Sequence, residues 1–107
     1  ECEALKTLPD TIGNFEKLQI LQLGDCLSLE GLPPSIGDLS LLTKLQLGSC
    51  IALKTLPDTI GNLEKLQILQ LKCCRSLEGL PMSIGGLTSL KKLKCNYCTS
   101  LVEVPTQ

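Results

Sequence analysis

The chain has 107 residues and a net charge of −1 at neutral pH, with Phe15 and Tyr97 as its aromatic residues and neither histidine nor tryptophan. Without histidine it lacks the usual general base of hydrolases, the commonest metal ligand and the physiological pH switch, so we expect no enzyme, no metal site and no cofactor. The near-zero net charge and the lack of an apolar run of about 18 residues argue against nucleic-acid binding and a membrane span.

The sequence repeats with a period of 24 residues. Four full units fill residues 5–28, 29–52, 53–76 and 77–100, with partial units on either side, and we expect one domain over 1–107. The first and third units differ at 4 of 24 positions and the second and fourth at 11, so the units also alternate with a 48-residue period. A period of this length predicts a solenoid in which every twenty-fourth residue occupies the same place on successive coils.

The first half of each unit predicts one helical turn. A proline precedes the turn, since its fixed φ suits a position where no ladder N–H is needed. An Ile-Gly pair ends the turn, and we expect the glycine to adopt the left-handed conformation that ends many helical turns. The prolines are Pro9, Pro33, Pro57 and Pro81, and the glycines are Gly13, Gly37, Gly61 and Gly85.

The second half of each unit predicts a strand. The stretch LQILQLGDCLSL from Leu18 has the form LxxLxLxxCxxL, which recurs from Leu42, Leu66 and Leu90, with Cys95 replacing one leucine in the last copy. The LxL centre alternates apolar and polar residues, as a half-buried strand does. Because a full coil separates successive strands, we predict four short parallel strands whose leucines stack into inward columns.

Five of the seven cysteines follow the strands at 24-residue spacing. A thiol there is small, packs as a hydrophobe and donates weakly to the backbone of a turn. We expect a ladder of reduced thiols, because stacked cysteines that point the same way are poorly aimed for a disulfide, and hence a reducing, cytoplasmic location. The five are Cys2, Cys26, Cys50, Cys74 and Cys98.

The two remaining cysteines, Cys73 and Cys95, complete a CC…CxxC set that resembles a zinc site. The register argues against zinc, because Cys95 and Cys98 take inward positions while Cys73 faces outward, so that the four sulfurs do not converge. We expect Cys73 to be free and exposed, and able to join chains on oxidation.

The LxxLxLxxCxxL core, together with a second pattern seen as LEGLPPSIGDLSLL from Leu29, resembles leucine-rich-repeat proteins along the whole chain. The second pattern looks most like the repeats of plant intracellular nucleotide-binding disease-resistance receptors. The resemblance implies an α/β leucine-rich-repeat solenoid with a short parallel sheet on the concave face and helical turns on the convex side. It also implies a protein-interaction role, such as immune-type recognition or regulation of a switch domain.

The outward strand positions form the predicted concave surface, the usual contact surface of a solenoid. A line of glutamines runs along its centre, and lysines cluster at its C-terminal end, which favours a protein partner with an acidic surface. A solvated polar coating is the alternative interpretation. The candidate partner-binding residues are Gln22, Lys44, Gln46, Gln70, Lys72, Lys91, Lys92, Lys94 and Tyr97.

This surface is small. Five strand residues at ~3.3 Å and four strands at ~4.8 Å give a projected area on the order of 320 Å². A standard interface buries about 800 Å² per partner, so we do not expect tight binding by this face alone. No arginine lies on the strands, which further disfavours nucleic acid.

Both ends of the sequence consist of incomplete repeats, ECEA and LVEVPTQ, rather than polar caps. Residues 1–53 carry 3 basic and 7 acidic side chains (−4), and residues 54–107 carry 7 basic and 4 acidic (+3). We therefore expect self-association through the ends, either head to tail or as a symmetric pair. A structural or self-assembling array without a dedicated partner is the alternative function.

Overall fold

A computed structural model describes residues 6–95 and 98 of the chain. Each coil contains one 3-10 helix followed by one three-residue strand. The helices span Asp10–Asn14, Pro34–Asp38, Asp58–Asn62 and Met82–Gly86, and the strands are β1 (Ile20–Gln22), β2 (Lys44–Gln46), β3 (Ile68–Gln70) and β4 (Lys92–Lys94). The predicted leucine-rich-repeat solenoid with a short parallel sheet is confirmed, and its helical turns are 3-10 helices.

The four strands form one parallel sheet in chain order. Each strand residue pairs with the residue 24 positions later, so that Leu21 lies opposite Leu45 and Leu45 opposite Leu69. Hydrogen bonds continue beyond the strand ends, since the Leu47 N–H donates to the Gln70 carbonyl at 2.8 Å. The 24-residue period in the sequence is therefore the register of the sheet.

The core consists of aliphatic side chains stacked from coil to coil. Leu45 and Leu69 are fully buried, as are the leucines two residues later, Leu47 and Leu71. Burying one such side chain contributes about 1.5–3 kcal/mol. On the first and last coils the equivalent side chains are only partly buried and pack against this core from one side. They are Ile12, Leu18, Leu21, Leu23, Leu80, Leu90, Leu93 and Cys95.

The repeated prolines stand directly before the 3-10 helices, as predicted. All four have extended backbone, with Pro33 at φ −71° and ψ 154°. The Pro33 carbonyl accepts a hydrogen bond from the Ile36 N–H at 3.0 Å, which closes the first turn of the helix. This turn places the Ile36 side chain in the core, where none of its surface is exposed.

The prediction that the glycine of each Ile-Gly pair adopts a left-handed conformation is wrong. No glycine among the described residues has a positive φ. Three of the four are instead glycine because the next coil lies too close for a side chain. A Cβ added at Gly13 would lie 2.9 Å from the carbonyl oxygen of Ser35. A Cβ at Gly37 would lie 2.6 Å from the carbonyl oxygen of Thr59, and one at Gly61 would lie 2.7 Å from that of Ser83.

The left-handed positions fall in the turns after β1, β2 and β3. Asp25, Ser49 and Cys73 have φ of 61°, 60° and 62°. They are 24 residues apart, so the turn geometry is repeated although the residue type changes. A side chain in this conformation costs roughly 1–2 kcal/mol, and aspartate tolerates it best of the three.

The repeated cysteines tie each coil to the one before it. The thiol of Cys50 donates to the Leu23 carbonyl at 3.0 Å, that of Cys74 to Leu47 at 2.9 Å, and that of Cys98 to Leu71 at 2.7 Å. The hydrogen bond with Cys50, followed by burial, raises the pKa of the Cys74 thiol. The same hydrogen bond lowers the pKa of the Cys50 thiol. The thiol of Cys74 is therefore a structural donor that stays protonated.

The prediction of a fully reduced ladder is wrong at Cys26, which is disulfide-bonded. In the other ladder positions the thiol donates to a carbonyl 27 residues earlier. Cys2 lies outside the described residues.

Candidate interaction surface

The outward side chains of the sheet form two columns on the concave face. The first column contains Ile20, Lys44, Ile68 and Lys92, and the second contains Gln22, Gln46, Gln70 and Lys94. The parallel register brings them together, since each side chain stands beside its equivalents on the neighbouring strands. Lys72 lies in the turn after β3, and Lys91 directly precedes β4. Tyr97, the ninth predicted site residue, lies outside the described residues.

The central glutamines interact with one another. The Gln46 side-chain N–H (Nε2) donates to Oε1 of Gln70 at 3.2 Å. Both side chains are half-buried, whereas Gln22 at the edge of the sheet is exposed. The side-chain amides of these two glutamines are therefore partly occupied by each other. The lysines are the stronger candidates for binding a partner.

Positive charge is concentrated at the β3–β4 end of the surface. Lys72, Lys91, Lys92 and Lys94 are exposed, and Lys44 is half-buried on β2. Across residues 6–95 and 98, none of the four exposed lysines has an ion-pair partner. The acidic Asp25 follows β1 at the opposite edge. The surface thus changes from acidic to basic across the sheet.

Two apolar residues of this surface were not among the predicted site residues. Ile20 is 51% exposed and Ile68 is half-buried, and they share a column with Lys44 and Lys92. Their outward strand positions already place them on the predicted concave surface, but the candidate partner-binding residues were chosen among lysine, glutamine and tyrosine side chains. An exposed isoleucine there adds contact area without competing with the core.

The cysteines at the C-terminal end are not grouped as metal ligands in the part of the chain that the structure describes. Across residues 6–95 and 98, no group of three or more cysteine or acidic side chains is placed to hold a metal ion. Cys73 and Cys95 are free, and both are half-buried, so Cys73 is less accessible than predicted. Burial, and then the neighbouring Cys98, raise the pKa of the Cys95 thiol. None of the helices in the described part of the chain has the length or apolar content to cross a bilayer.

A sequence comparison agrees with this architecture. A family model described as a leucine-rich repeat region matches residues 2–97. No curated protein matches the chain significantly.

Solved structures share the same arrangement of coils. The leucine-rich repeat domain of the type III effector XopL is 34% identical, with a TM-score of 0.79, over 94% of this chain and 34% of the effector chain. The plant peptide hormone receptor RGFR1, solved in complex with RGF2, is 28% identical, with a TM-score of 0.60, over 92% of this chain and 19% of the receptor chain. The chain therefore spans about a third or less of the length of these two proteins.

Proposed function

The chain belongs to the leucine-rich-repeat family, and from that premise we propose that it is a non-enzymatic protein-interaction module whose concave face binds an acidic surface of another protein. The basic cluster of Lys72, Lys91, Lys92 and Lys94 supports this proposal, because four exposed and unpaired lysines stand together at one end of the sheet. The similar receptor RGFR1, which was solved with a bound peptide hormone, supports the same class of role.

The expected binding is electrostatic and weak. Strands of three residues give an outward face of roughly 10 Å by 19 Å, well below the area of a standard interface. Clustered charge raises the association rate at low salt, and this advantage falls as ionic strength rises. A flanking surface of the partner or of a longer protein would have to supply the remaining contacts.

A charge-reversal experiment tests the proposal with a hexaglutamate peptide as the probe. The variant Lys91→Glu, Lys92→Glu, Lys94→Glu removes the cluster. We expect the wild-type chain to bind the fluorescent peptide at low salt and to lose most of the signal at 0.5 M salt, roughly five times the ionic strength at which the Debye length is 10 Å. The variant should lose at least about tenfold in affinity, since three favourable contacts become repulsive.

The matched control reverses the same number of exposed lysines away from the sheet: Lys17→Glu, Lys54→Glu, Lys65→Glu. It produces the same change in net charge as the cluster variant. The control should bind more tightly than the cluster variant by about threefold or more, because its concave face is intact. Equal losses in both variants would mean that net charge alone, and not the concave cluster, determines binding.

The biological setting proposed for this module is immune-type recognition or regulation in the cytoplasm. The repeat pattern LEGLPPSIGDLSLL supports it through its resemblance to plant disease-resistance receptors. In such a setting the basic end would contact an acidic surface of a neighbouring domain or of a foreign protein. Comparing natural variation at the concave positions with that on the helix side tests this idea: recognition predicts that variation concentrates on the concave side.

Self-association is a second candidate function, favoured by the opposite net charges of the two halves of the chain, −4 over residues 1–53 and +3 over residues 54–107. These charges support head-to-tail stacking in particular. Sedimentation velocity across a hundredfold range of protein concentration tests it. A sedimentation coefficient that rises with concentration supports association, and a constant monomer value contradicts it.

A further inference from the structure

Two surface grooves open where the 3-10 helices begin, and they repeat with the 48-residue period. The first, between the first and second coils, has a volume of about 440 Å³, and the second, between the third and fourth coils, has about 250 Å³. The residues that matter in the first groove are Thr7, Asp10, Gly31 and Pro33. The equivalent residues in the second are Thr55, Asp58, Gly79 and Pro81.

The alternation of the repeats creates these grooves. Where the odd units have Thr-Leu-Pro-Asp, the even units have Gly-Leu-Pro without the aspartate, so a threonine lies beside a glycine at each of the two boundaries. A Cβ added at Gly31 or Gly79 would meet no atom within 4 Å, so the missing side chain leaves open space. At the boundary between the second and third coils, Pro34 stands where the aspartate would be. The combination of glycine and carboxylate therefore recurs only at every second coil.

Each groove carries one negative charge on apolar walls. Asp10 and Asp58 are exposed, and each is the one ionisable residue that lines its groove. One lysine and one glutamate directly precede the residues that line each groove, Lys6 and Glu30 at the first and Lys54 and Glu78 at the second. Their opposite charges cancel, so they add no net charge to the grooves. A carboxylate beside proline and leucine surfaces matches an arginine side chain, whose stem packs on apolar surface while its planar guanidinium pairs with the carboxylate.

The spacing of the grooves indicates how two such arginines would be arranged. Neighbouring coils are tied here by hydrogen bonds from the Glu30 N–H to the Lys6 carbonyl (2.9 Å) and from the Lys54 N–H to the Glu30 carbonyl (3.3 Å). Coils joined in this way lie about 4.8 Å apart, so the two grooves are separated by about 10 Å. In polyproline II, side chains three residues apart share a face and are about 9 Å apart. In an extended strand, same-face side chains are about 7 Å or 13 Å apart.

We propose that the two grooves bind a polypeptide segment with the pattern Arg-x-x-Arg in the polyproline II conformation, one arginine in each groove. This site lies on the helix side of the coils and is independent of the concave surface. The peptide Gly-Pro-Arg-Pro-Pro-Arg-Pro-Gly is the probe, and its affinity is measured from amide chemical-shift changes in the labelled protein. Shifts should be largest at the amides of Gly31 and Gly79.

Peptide controls separate spacing from charge. Moving the second arginine to give Arg-Pro-Arg keeps the charge but places the side chains on different faces, and it should weaken binding about threefold or more because only one groove is used. A peptide with alanine at both arginine positions should not bind. Equal affinity for both arginine spacings would overturn the proposal in favour of nonspecific attraction to carboxylates.

Protein variants locate the site. Asp10→Asn and Asp58→Asn should each weaken binding about threefold, and together about tenfold. Gly31→Val with Gly79→Val fills both grooves and should abolish the shifts. The matched control, Gly24→Val with Gly48→Val, adds side chains in the turns after β1 and β2, where a Cβ meets no atom closer than 3.9 Å, and it should bind normally. Thermal unfolding of each variant shows that it is folded, and retained binding by a folded Gly31→Val, Gly79→Val variant would refute the site.

Discussion

The glycine near the end of the second 3-10 helix provides a sharp test of how the coils pack, because a glycine of the following turn has open surroundings. At Gly37 an added Cβ would lie 2.6 Å from the carbonyl oxygen of Thr59 and 2.8 Å from its Cβ. At Gly48, in the turn after β2, an added Cβ would meet no atom within 4 Å, and neither glycine has a positive φ. We therefore expect Gly37→Ala to destabilise the chain and Gly48→Ala to leave its stability unchanged or slightly raised.

The size of the effect follows from the contact. Overpacking a close contact costs about 1–3 kcal/mol. The Thr59 hydroxyl donates to the Pro34 carbonyl at 2.7 Å within the same contact, and loss of that bond adds about 1 kcal/mol. Gly37→Ala should therefore lower the free energy of unfolding by about 2–4 kcal/mol, whereas Gly48→Ala should change it by about +0.5 kcal/mol through reduced unfolded-state entropy. For a chain of this size the first loss lowers Tm by roughly 10 °C or more.

Thermal and urea unfolding followed by circular dichroism, with reductant present, measures both variants against the wild type. A large loss of stability at Gly37 and none at Gly48 supports close packing as the reason for glycine at position 37. Similar losses at both positions would contradict this explanation, because a contact with the next coil exists only at Gly37 of the two.

Three further predictions concern the core, the turns and the thiols. Leu69→Ala should cost about 3 kcal/mol and the equivalent Leu21→Ala about half of that in urea unfolding, because Leu69 is fully buried and Leu21 only partly so; equal costs would contradict the stacked column. Cys73→Gly should raise the free energy of unfolding by about 0.5–1 kcal/mol, since it removes a side chain from a residue at φ 62°, and a loss of stability in the same assay would contradict this. Burial raises the pKa of Cys95 and Cys98 above their ordinary value of 9.0, so the stability they contribute should be complete below pH 9 and fall as pH rises beyond it. The urea midpoint measured from pH 7 to 11 should fall more in the wild type than in a Cys95→Ala, Cys98→Ala variant, and parallel curves would count against this assignment.

The repeat period contains most of the information about the fold. Once residues 24 apart are equivalent, the pairing of Leu45 with Leu69 and the placing of Gln46 beside Gln70 follow without further assumptions. The prolines were predictable for a similar reason, because the fixed φ of Pro33 restricts the residue to a few positions relative to a helix. The composition of the concave columns could therefore be read from the sequence.

Features that depend on distances between coils were not predictable. A glycine repeats at one position either because the backbone there is left-handed or because a neighbouring coil lies too close for a side chain. The sequence around Gly37 would look the same in both cases. The left-handed residues turned out to be Asp25, Ser49 and Cys73, whose differing side chains hide their shared conformation. The disulfide at Cys26 was missed because bond formation depends on how two sulfurs are aimed, which a 24-residue spacing does not specify.

The grooves at Gly31 and Gly79 were missed for another reason. A glycine in the sequence shows that a side chain is absent, but it does not show whether neighbouring atoms fill the space. The structure shows that the space at both positions stays open. The same residue type thus marks tight packing at Gly37 and a groove at Gly31.

The parallel register of the sheet is the claim on which the proposed surface depends, because it alone places Gln22, Gln46, Gln70 and Lys94 in one column. Scalar couplings through hydrogen bonds, measured by NMR in the labelled chain, test it most directly. We expect couplings from the N–H of Leu23, Leu47 and Leu71 to the carbonyl carbons of Gln46, Gln70 and Lys94, across N···O distances of 2.8, 2.8 and 2.7 Å. Couplings to carbonyls shifted by one or more residues from these partners would contradict the register and the surface built on it.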